Sequence, residues 1–290
     1  MTRDERPRYA DRVRWLVIAV LIITAVIAVG RCGEKPRERW SVATFNIEHF
    51  PKDQRQVDGA FAEMATLGAS IIAVQEITDT ELFAVTARNR LGKHWSFIPE
   101  HAPDGTFDHQ IGVLFDGSGY AFVGKRIHDG TRLADRHKPT LDVELRDRET
   151  GEALHVLVIH FRSGGEHHTT RHRQYAALGK TIEEVRRSGH PVIVLGDFNA
   201  TGNEDRADLA RLAEATRMTW ATEHLPCSAF WDRIDTCPTS RLDHVLTTAA
   251  PLETHAAGGC AEVGCETHDR CPLYEEHVSD HCPVVVTFER

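Results

Sequence analysis

The chain has 290 residues, 41% of them hydrophobic and 27% charged, which is ordinary globular composition and excludes a disordered, collagenous or coiled-coil protein. Its 34 basic and 43 acidic residues leave a net charge of −9. Residues 1–30 carry five arginines against three acids, so the rest holds −11, which argues against retention on nucleic acid by bulk charge but not against an enzyme that meets phosphates through a metal ion.

Five arginines, Arg3, Arg6, Arg8, Arg12 and Arg14, precede an uncharged apolar run over residues 15–29 that Gly30 and Arg31 close. The run is short for a full bilayer crossing, which takes about 20 residues. It suits the apolar region of an export signal, and Ala28-Val29-Gly30 supplies the small residues of a cleavage site. The polar leader is long for a cleaved signal, so an uncleaved anchor through residues 15–30 stands beside it. A lipid anchor on Cys32 is disfavoured by Arg31. Either way the positive leader sends the body outward, secreted or membrane-anchored. Residues 1–39 are therefore read as signal or anchor with a short tether, and 40–290 as one domain, expected to act as a monomer.

Within that body, residues 40–46 (WSVATFN) read as a strand, and 54–67 as a helix with Val57, Phe61, Met64 and Ala65 on one face. Residues 70–74 (SIIAV) form a continuous apolar run of strand length, hence a buried strand. Residues 79–91 read as helix, and 111–115, 120–123, 141–145 and 154–161 as strands. Residues 171–187 form an amphipathic helix through Tyr175, Leu178, Ile182 and Val185. Strands at 191–195, 242–246 and 283–288 complete the set. Many strands, some apolar on both faces, with few helices imply two packed sheets covered by helices.

Six cysteines, Cys227, Cys237, Cys260, Cys265, Cys271 and Cys282, fall in the last 64 residues. In an exported protein they read as three disulfides of unspecified pairing. The rival reading is a zinc site helped by His255, His268 and His277, which the absence of any CxxC weakens.

Polar residues decorate the strand ends: Asn46, Glu76, His160, Asp197 with Asn199, Asp243, and Asp280-His281. Alone, each has a structural explanation as a turn residue, an N-cap or a satisfied core histidine. Together they place unpaired carboxylates beside apolar strands, which is costly unless a cation binds them.

In this order, TFNIEHF, VQE, IHFRSGG, GDFNATG, LDHVL and SDHCPVVV resemble the motif series of the endonuclease/exonuclease/phosphatase superfamily, in its deoxyribonuclease I-like and exonuclease III-like branches. The resemblance implies a four-layer αββα sandwich with two mostly antiparallel sheets flanked by helices. It also implies Mg²⁺, with Mn²⁺ or Ca²⁺ as substitutes, bound by Glu76, Asn46 and Asp280. Asp197 would activate water, Asn199 would bind a phosphate oxygen, and His281 would contact the phosphoryl group with Asp243 as its partner. His160 stands where deoxyribonuclease-like members carry a histidine, and Arg162 follows it as a phosphate ligand. Phe230-Trp231-Asp232-Arg233-Ile234 resembles a 5-phosphatase signature, which would make Asp232 the partner of His281; Asp243 is preferred because a strand follows it.

Two further groups carry paired readings. His167-His168 with Arg171, His172 and Arg173 either meets substrate phosphates at a helix start or is a solvated helix face. Asp108-His109-Gln110 either lines the cleft or is a plain turn, with the turn favoured. The Trp and Phe residues show no spacing suited to base stacking and read as core. The implied activity is metal-dependent hydrolysis of a phosphodiester, DNA or RNA. The alternatives are a sphingomyelinase-like or inositol-phosphate phosphohydrolase, then an inactive binding member or a Cys/His metal-binding protein.

Overall fold

Two six-stranded sheets stack face to face, and each carries helices on its outer side. The structure, a computed structural model, describes residues 39–102, 108–133 and 137–289; the expected leader and anchor over residues 15–30 lie outside the described residues. The first sheet runs β13 (Glu253–Ala256), β14 (Val284–Glu289), β1 (Arg39–Phe50), β2 (Ile71–Ile77), β4 (Gln110–Asp116), β3 (Trp95–Pro99). The second runs β5 (Tyr120–His128), β6 (Thr140–Asp147), β7 (Ala153–His160), β8 (Val192–Asp197), β12 (Asp243–Thr247), β9 (Thr219–Trp220). Each sheet holds one parallel pair, β1 with β2 and β7 with β8, and its other pairs are antiparallel.

Period-two alternation divides the apolar residues between layers. From β2, Ile71 and Ala73 face the centre, where Val156, Val158, Ile193 and Leu195 of the other sheet meet them. Ile72 and Val74 of the same strand face α1 (Gln54–Thr66) and α2 (Thr80–Arg90), packing with Phe61, Met64 and Phe83. Likewise Leu157, Ile159, Val192 and Val194 face α3 (His168–Val185) and α4 (Asn203–Thr216) through Tyr175, Leu178, Ile182 and Leu209. This is why the inner strands read as unbroken apolar runs. Asp53 and Asp79 start α1 and α2 by accepting hydrogen bonds from the Gln56 and Leu82 amides.

Beyond the short elements of residues 219–277, three elements show why the sequence reading differs. The strand expected over 120–123 extends to His128, because Lys125 and Arg126 lie on an exposed edge where no apolar run is needed. β3, also an edge strand and half-buried throughout, has no expected counterpart. Neither has α4, whose inner face carries buried Asp205 and Asp208 among its apolar residues and so shows only a thin stripe.

The six cysteines form three disulfides, Cys227–Cys265, Cys237–Cys271 and Cys260–Cys282, which rules out the zinc reading for these sulfurs. They gather a small cluster with Phe230 and Tyr274 over the short hairpin β10 (Ala229–Phe230) and β11 (Thr239–Ser240), α5 (Gly258–Val263) and α6 (Leu273–His277). Among the described residues, no helix is long and apolar enough to cross a membrane.

Candidate active site

The two parallel pairs end on the same rim of the sandwich, and the antiparallel β12 and β14 begin there. Register places Asp197, the last residue of β8, opposite both His160 of β7 and Asp243 of β12. Gly196 beside it has φ +145, and a Cβ there would lie 2.1 Å from the Ile159 carbonyl, so only glycine lets β8 approach β7 this closely. On the facing sheet, Glu76 lies within a register shift between Val74 and Ile77 and sits at φ 64. A left-handed conformation in a non-glycine residue costs about 1–3 kcal/mol and marks a place the surrounding structure over-determines.

Asn46, buried in β1 just before its register with β2 shifts, joins the two sheets. Its Nδ2 donates to Glu76 Oε1 at 3.1 Å and to Asp197 Oδ2 at 3.2 Å, while its Oδ1 accepts from the Glu48 amide at 3.0 Å. Asp197 also accepts from the Asn199 amide at 2.8 Å and from Asn199 Nδ2 at 2.9 Å. That Nδ2 further donates to the Phe161 carbonyl at 3.1 Å, so in this structure Asn199 supports Asp197 rather than pointing a donor at a ligand. His160 Nε2 lies 3.5 Å from Asp197 Oδ2 and 3.8 Å from Glu76 Oε1, and its Nδ1 is buried without a hydrogen-bond partner. His281 turns Nε2 toward Asp197 Oδ2 at 3.9 Å and Nδ1 toward Asp243 Oδ2 at 2.8 Å. Asp243 is therefore the carboxylate beside His281, whereas Asp232 is exposed on the β10–β11 connection. Asp280 donates its amide to Glu48 Oε2, and its Oδ1 lies 3.9 Å from His281 Nε2.

These surroundings push the ionisable groups apart. Burial drives Asp197 up to about 7, helped by the charges of Asp243 and Glu76 and opposed by His281 and the Asn199 amide. Burial opposes charge on His281, but Asp243, Asp280 and Asp197 outweigh it and hold the imidazolium well above its ordinary range. His160, with burial dominant, falls to about 4 and is neutral at pH 7. Burial would raise Glu76, yet His160, the Asn46 amide and His281 bring it to about 2. Burial, Glu48 and Glu76 raise Asp280 to about 6 against the opposing charge of His281.

A cavity of about 610 Å³ opens over this rim. Glu76, His160, Asp197, Asn199, Asp280 and His281 line it, and Asn46 and Asp243 stand behind. Arg162 is exposed on its wall, with Nη2 3.1 Å from His167 Nε2. The eight polar residues singled out at strand ends thus meet in one place, with Arg162 beside them.

The structure adds others. Asp108 and His109 line the cavity, so the plain-turn reading of that segment gives way to the cleft reading. His109 Nε2 is 2.7 Å from His49 Nδ1, and the His49 amide donates to Glu76 Oε2 at 3.1 Å. His49 lies within TFNIEHF, but its pairing with a residue 60 positions away leaves no local signal. Arg171 is withdrawn from the phosphate-binding reading: it is fully buried, forks onto Asp205 with two 2.8 Å bonds, and donates to the carbonyls of Arg162 and Gly164. Trp231, assigned to the core from sequence, is 48% exposed on the cavity lip, with the Arg233 guanidinium 4.7 Å from its ring centroid.

The donor set suits a hard divalent cation, which takes carboxylate and amide oxygens. Glu76 and Asp280 offer carboxylates, and a turn of the Asn46 amide would exchange its Nδ2 for Oδ1 between Glu76 and Asp197. Glu76 with His49 and His109 forms a second grouping of ligand atoms within 4.8 Å of one another.

A sequence profile described as the Endonuclease/Exonuclease/phosphatase family matches residues 43–281. No curated protein matches the chain in sequence. Among solved structures, D. rerio TDP2 complexed with a single-strand DNA product is similar at TM-score 0.67 and 15% identity, covering 87% of this chain and 100% of that one. The human Nocturnin catalytic domain with bound sulfate is similar at TM-score 0.66 and 15% identity, covering 88% and 95%. A family protein from Bacteroides thetaiotaomicron is similar at TM-score 0.58 and 15% identity, covering 88% and 100%. At these identities the structures establish the four-layer sandwich, and the profile establishes kinship: the chain belongs to the endonuclease/exonuclease/phosphatase family, whose members are divalent-metal-dependent hydrolases of phosphoester bonds.

Proposed function

We propose that this chain is an exported, Mg²⁺-dependent phosphodiesterase that cuts nucleic acid by in-line attack of water. The observation that carries the reading is the position of Asp197, shared by Asn46, Asn199 and His160 and facing a His281 backed by Asp243. Raised to about 7, the Asp197 carboxylate is a stronger base than an ordinary aspartate and suited to take a proton from the attacking water. His281, kept cationic by Asp243, stabilises the charge that grows on the phosphoryl oxygens and can protonate the leaving oxygen. Neutral His160 offers one N–H to the same region, and exposed Arg162 can fork onto a neighbouring phosphate. When bound, Mg²⁺ held by Glu76 and Asp280, with Asn46 beside it, supplies Lewis-acid neutralisation of phosphoryl charge.

Nucleic acid is favoured by the open cavity with Arg162 on its wall and Trp231 on its lip, a ring on which a base can stack. The single-strand DNA product bound to D. rerio TDP2 supports the same class. Export is supported by three disulfides and by the apolar run at residues 15–30. A second reading, a lipid phosphohydrolase of sphingomyelinase type, draws on Trp231 and the fully exposed Ile234 together on the β10–β11 connection.

The test is hydrolysis of plasmid DNA, RNA, bis-p-nitrophenyl phosphate, sphingomyelin and an inositol polyphosphate, with Mg²⁺ or EDTA, by wild type and Asp197→Ala. Metal-dependent cutting of DNA or RNA that the substitution abolishes is expected. Turnover of sphingomyelin or the inositol phosphate alone would move the protein to the second reading. No turnover of any substrate by folded, metal-supplied protein would sink both.

A further inference from the structure

At the start of α3, away from the strand ends, His168 and His172 lie one turn apart on the same helical face. Opposite them α4 presents Glu204 and Asp208, also four residues apart. His168 Nε2 and His172 Nδ1 each lie 3.0 Å from Asp208 Oδ2, and the three ligand atoms fall within 4.8 Å of one another. Zinc bonds of about 2.0–2.1 Å to nitrogen and oxygen set tetrahedral ligand separations of about 3.3 Å, close to this spacing.

We propose that His168, His172 and Asp208 form a zinc site that clamps α3 to α4, with its fourth position open to solvent. Two surrounding contacts are those a metal site needs. His168 turns its other nitrogen, Nδ1, toward Glu204 Oε2 at 3.2 Å, the carboxylate contact that fixes the tautomer of a metal-bound imidazole. Arg211 holds Asp208 Oδ1 at 2.5 Å, an oxygen also 2.9 Å from His172 Nδ1, while Oδ2 is the one that lies 3.0 Å from both histidines. With zinc on Nε2 the single proton of the imidazole sits on Nδ1, where Glu204 can accept it. The Asp208 carboxyl is almost wholly buried, while the His172 ring is more than half exposed, so the site is anchored on one side and accessible on the other. Mixed imidazole and carboxylate donors in four-fold geometry select zinc over Mg²⁺ or Ca²⁺, which prefer all-oxygen sets.

The clamp adjoins the connection from β7 to α3 that carries Arg162. In the next contact along α3, Arg171 hydrogen-bonds the Arg162 and Gly164 carbonyls and pairs with Asp205 of α4. Zinc therefore stiffens the helix pair on which the cavity wall rests. The proposal does not depend on the phosphodiesterase reading, because binding is its readout.

The experiment titrates the chelator-stripped full chain with Zn²⁺ by calorimetry in excess Mg²⁺, beside His168→Ala/His172→Ala and Glu204→Gln. Wild type is expected to bind one more equivalent than the double variant, and Glu204→Gln to weaken that equivalent about tenfold. Zinc should raise the Tm of wild type more than that of the double variant. Should the double variant fold poorly, Co²⁺ in place of Zn²⁺ gives the visible band of tetrahedral cobalt in wild type, and the single exposed change His172→Gln should diminish it. Equal zinc stoichiometry and affinity in wild type and a folded double variant, or a cobalt band indifferent to His172→Gln, overturns the site.

Discussion

His281 Nδ1 lies 2.8 Å from Asp243 Oδ2, and Ser228 Oγ donates to that same oxygen at 2.7 Å. The imidazole is thereby held with Nε2 directed at Asp197, across the line where β8 and β12 pair. A buried carboxylate in this position fixes both the tautomer and the charge of the ring.

Asp243→Asn keeps the shape of the side chain but can offer an N–H to Nδ1, which moves the ring proton to Nε2. By analogy with carboxylate-oriented histidines in other hydrolases, kcat should fall about 10²- to 10⁴-fold with little change in Tm. The lost negative charge also lets the His281 pKa drop toward its ordinary range, so any high-pH fall in activity should begin at lower pH than in wild type. A pH–rate profile of both proteins reads the two effects separately, and an unchanged kcat would remove His281 from the reaction.

Arg171 has the opposite character: it is wholly internal and answers to stability. Arg171→Ala leaves the Asp205 carboxylate buried without its fork, a loss of roughly 3–5 kcal/mol on removing one partner of a buried pair. Urea unfolding should show that loss. Arg171→Met with Asp205→Leu should recover most of it, since no charge remains to be desolvated. The Arg162 and Gly164 carbonyls also lose their donor, so KM for a phosphodiester should rise in the double variant even where stability returns.

What was legible in the sequence follows from which strands are buried on both faces. Runs such as SIIAV and PVIVL announce inner strands, so the polar residues that end them, Glu76 and Asp197, stand out against apolar neighbours. Asp243 was preferred over Asp232 because a strand follows it, and β12 does run from Asp243 to Thr247. The helix α4 was hidden for the converse reason: Asp205 and Asp208 break its apolar stripe while being buried by partners on α3 that no local pattern reveals. His49 and His109 meet only through the fold, and six cysteines admit fifteen pairings until loop geometry selects one. The exposure of Trp231 depends on a hairpin of two-residue strands held by those disulfides, too short to carry a periodic signal.

Trp231 separates substrate size from chemistry. If its ring stacks a base beyond the scissile phosphate, Trp231→Ala should raise KM for single-stranded DNA on the order of tenfold, as expected for one lost stacking contact. Because the ring is half-exposed, Tm should stay within error of wild type. Bis-p-nitrophenyl phosphate has no base to reach the lip, so its kcat/KM should not change. Equal losses on both substrates would place Trp231 in the general architecture of the cavity instead.

The opposite end of β7 gives a pH dependence of stability that the reacting groups do not touch. His155 and His160 are separated by about 16 Å of strand. His155 Nδ1 lies 2.8 Å from Asp142 Oδ1, and His128 Nε2 is 3.6 Å from Asp142 Oδ2. The Asp142 hydrogen bond raises the His155 pKa above its ordinary 6.5 against the opposing effect of burial. Burial in turn would raise Asp142, but His128 and His155 overcome it and lower the carboxyl below 3.8. A raised histidine contributes its full stabilisation below the unfolded value and loses it as pH climbs through the folded one; a lowered carboxylate contributes above its unfolded value and loses it as pH falls. The pair is therefore most stabilising between 3.8 and 6.5. His155→Gln should lower Tm most near about pH 5.5, and the gap from wild type should narrow as pH climbs through the raised His155 value and the wild-type imidazole loses its charge. Thermal melts of the two proteins across that range decide it: a gap that stays constant or widens with pH would mean that packing, not the charge pair, is what His155 contributes.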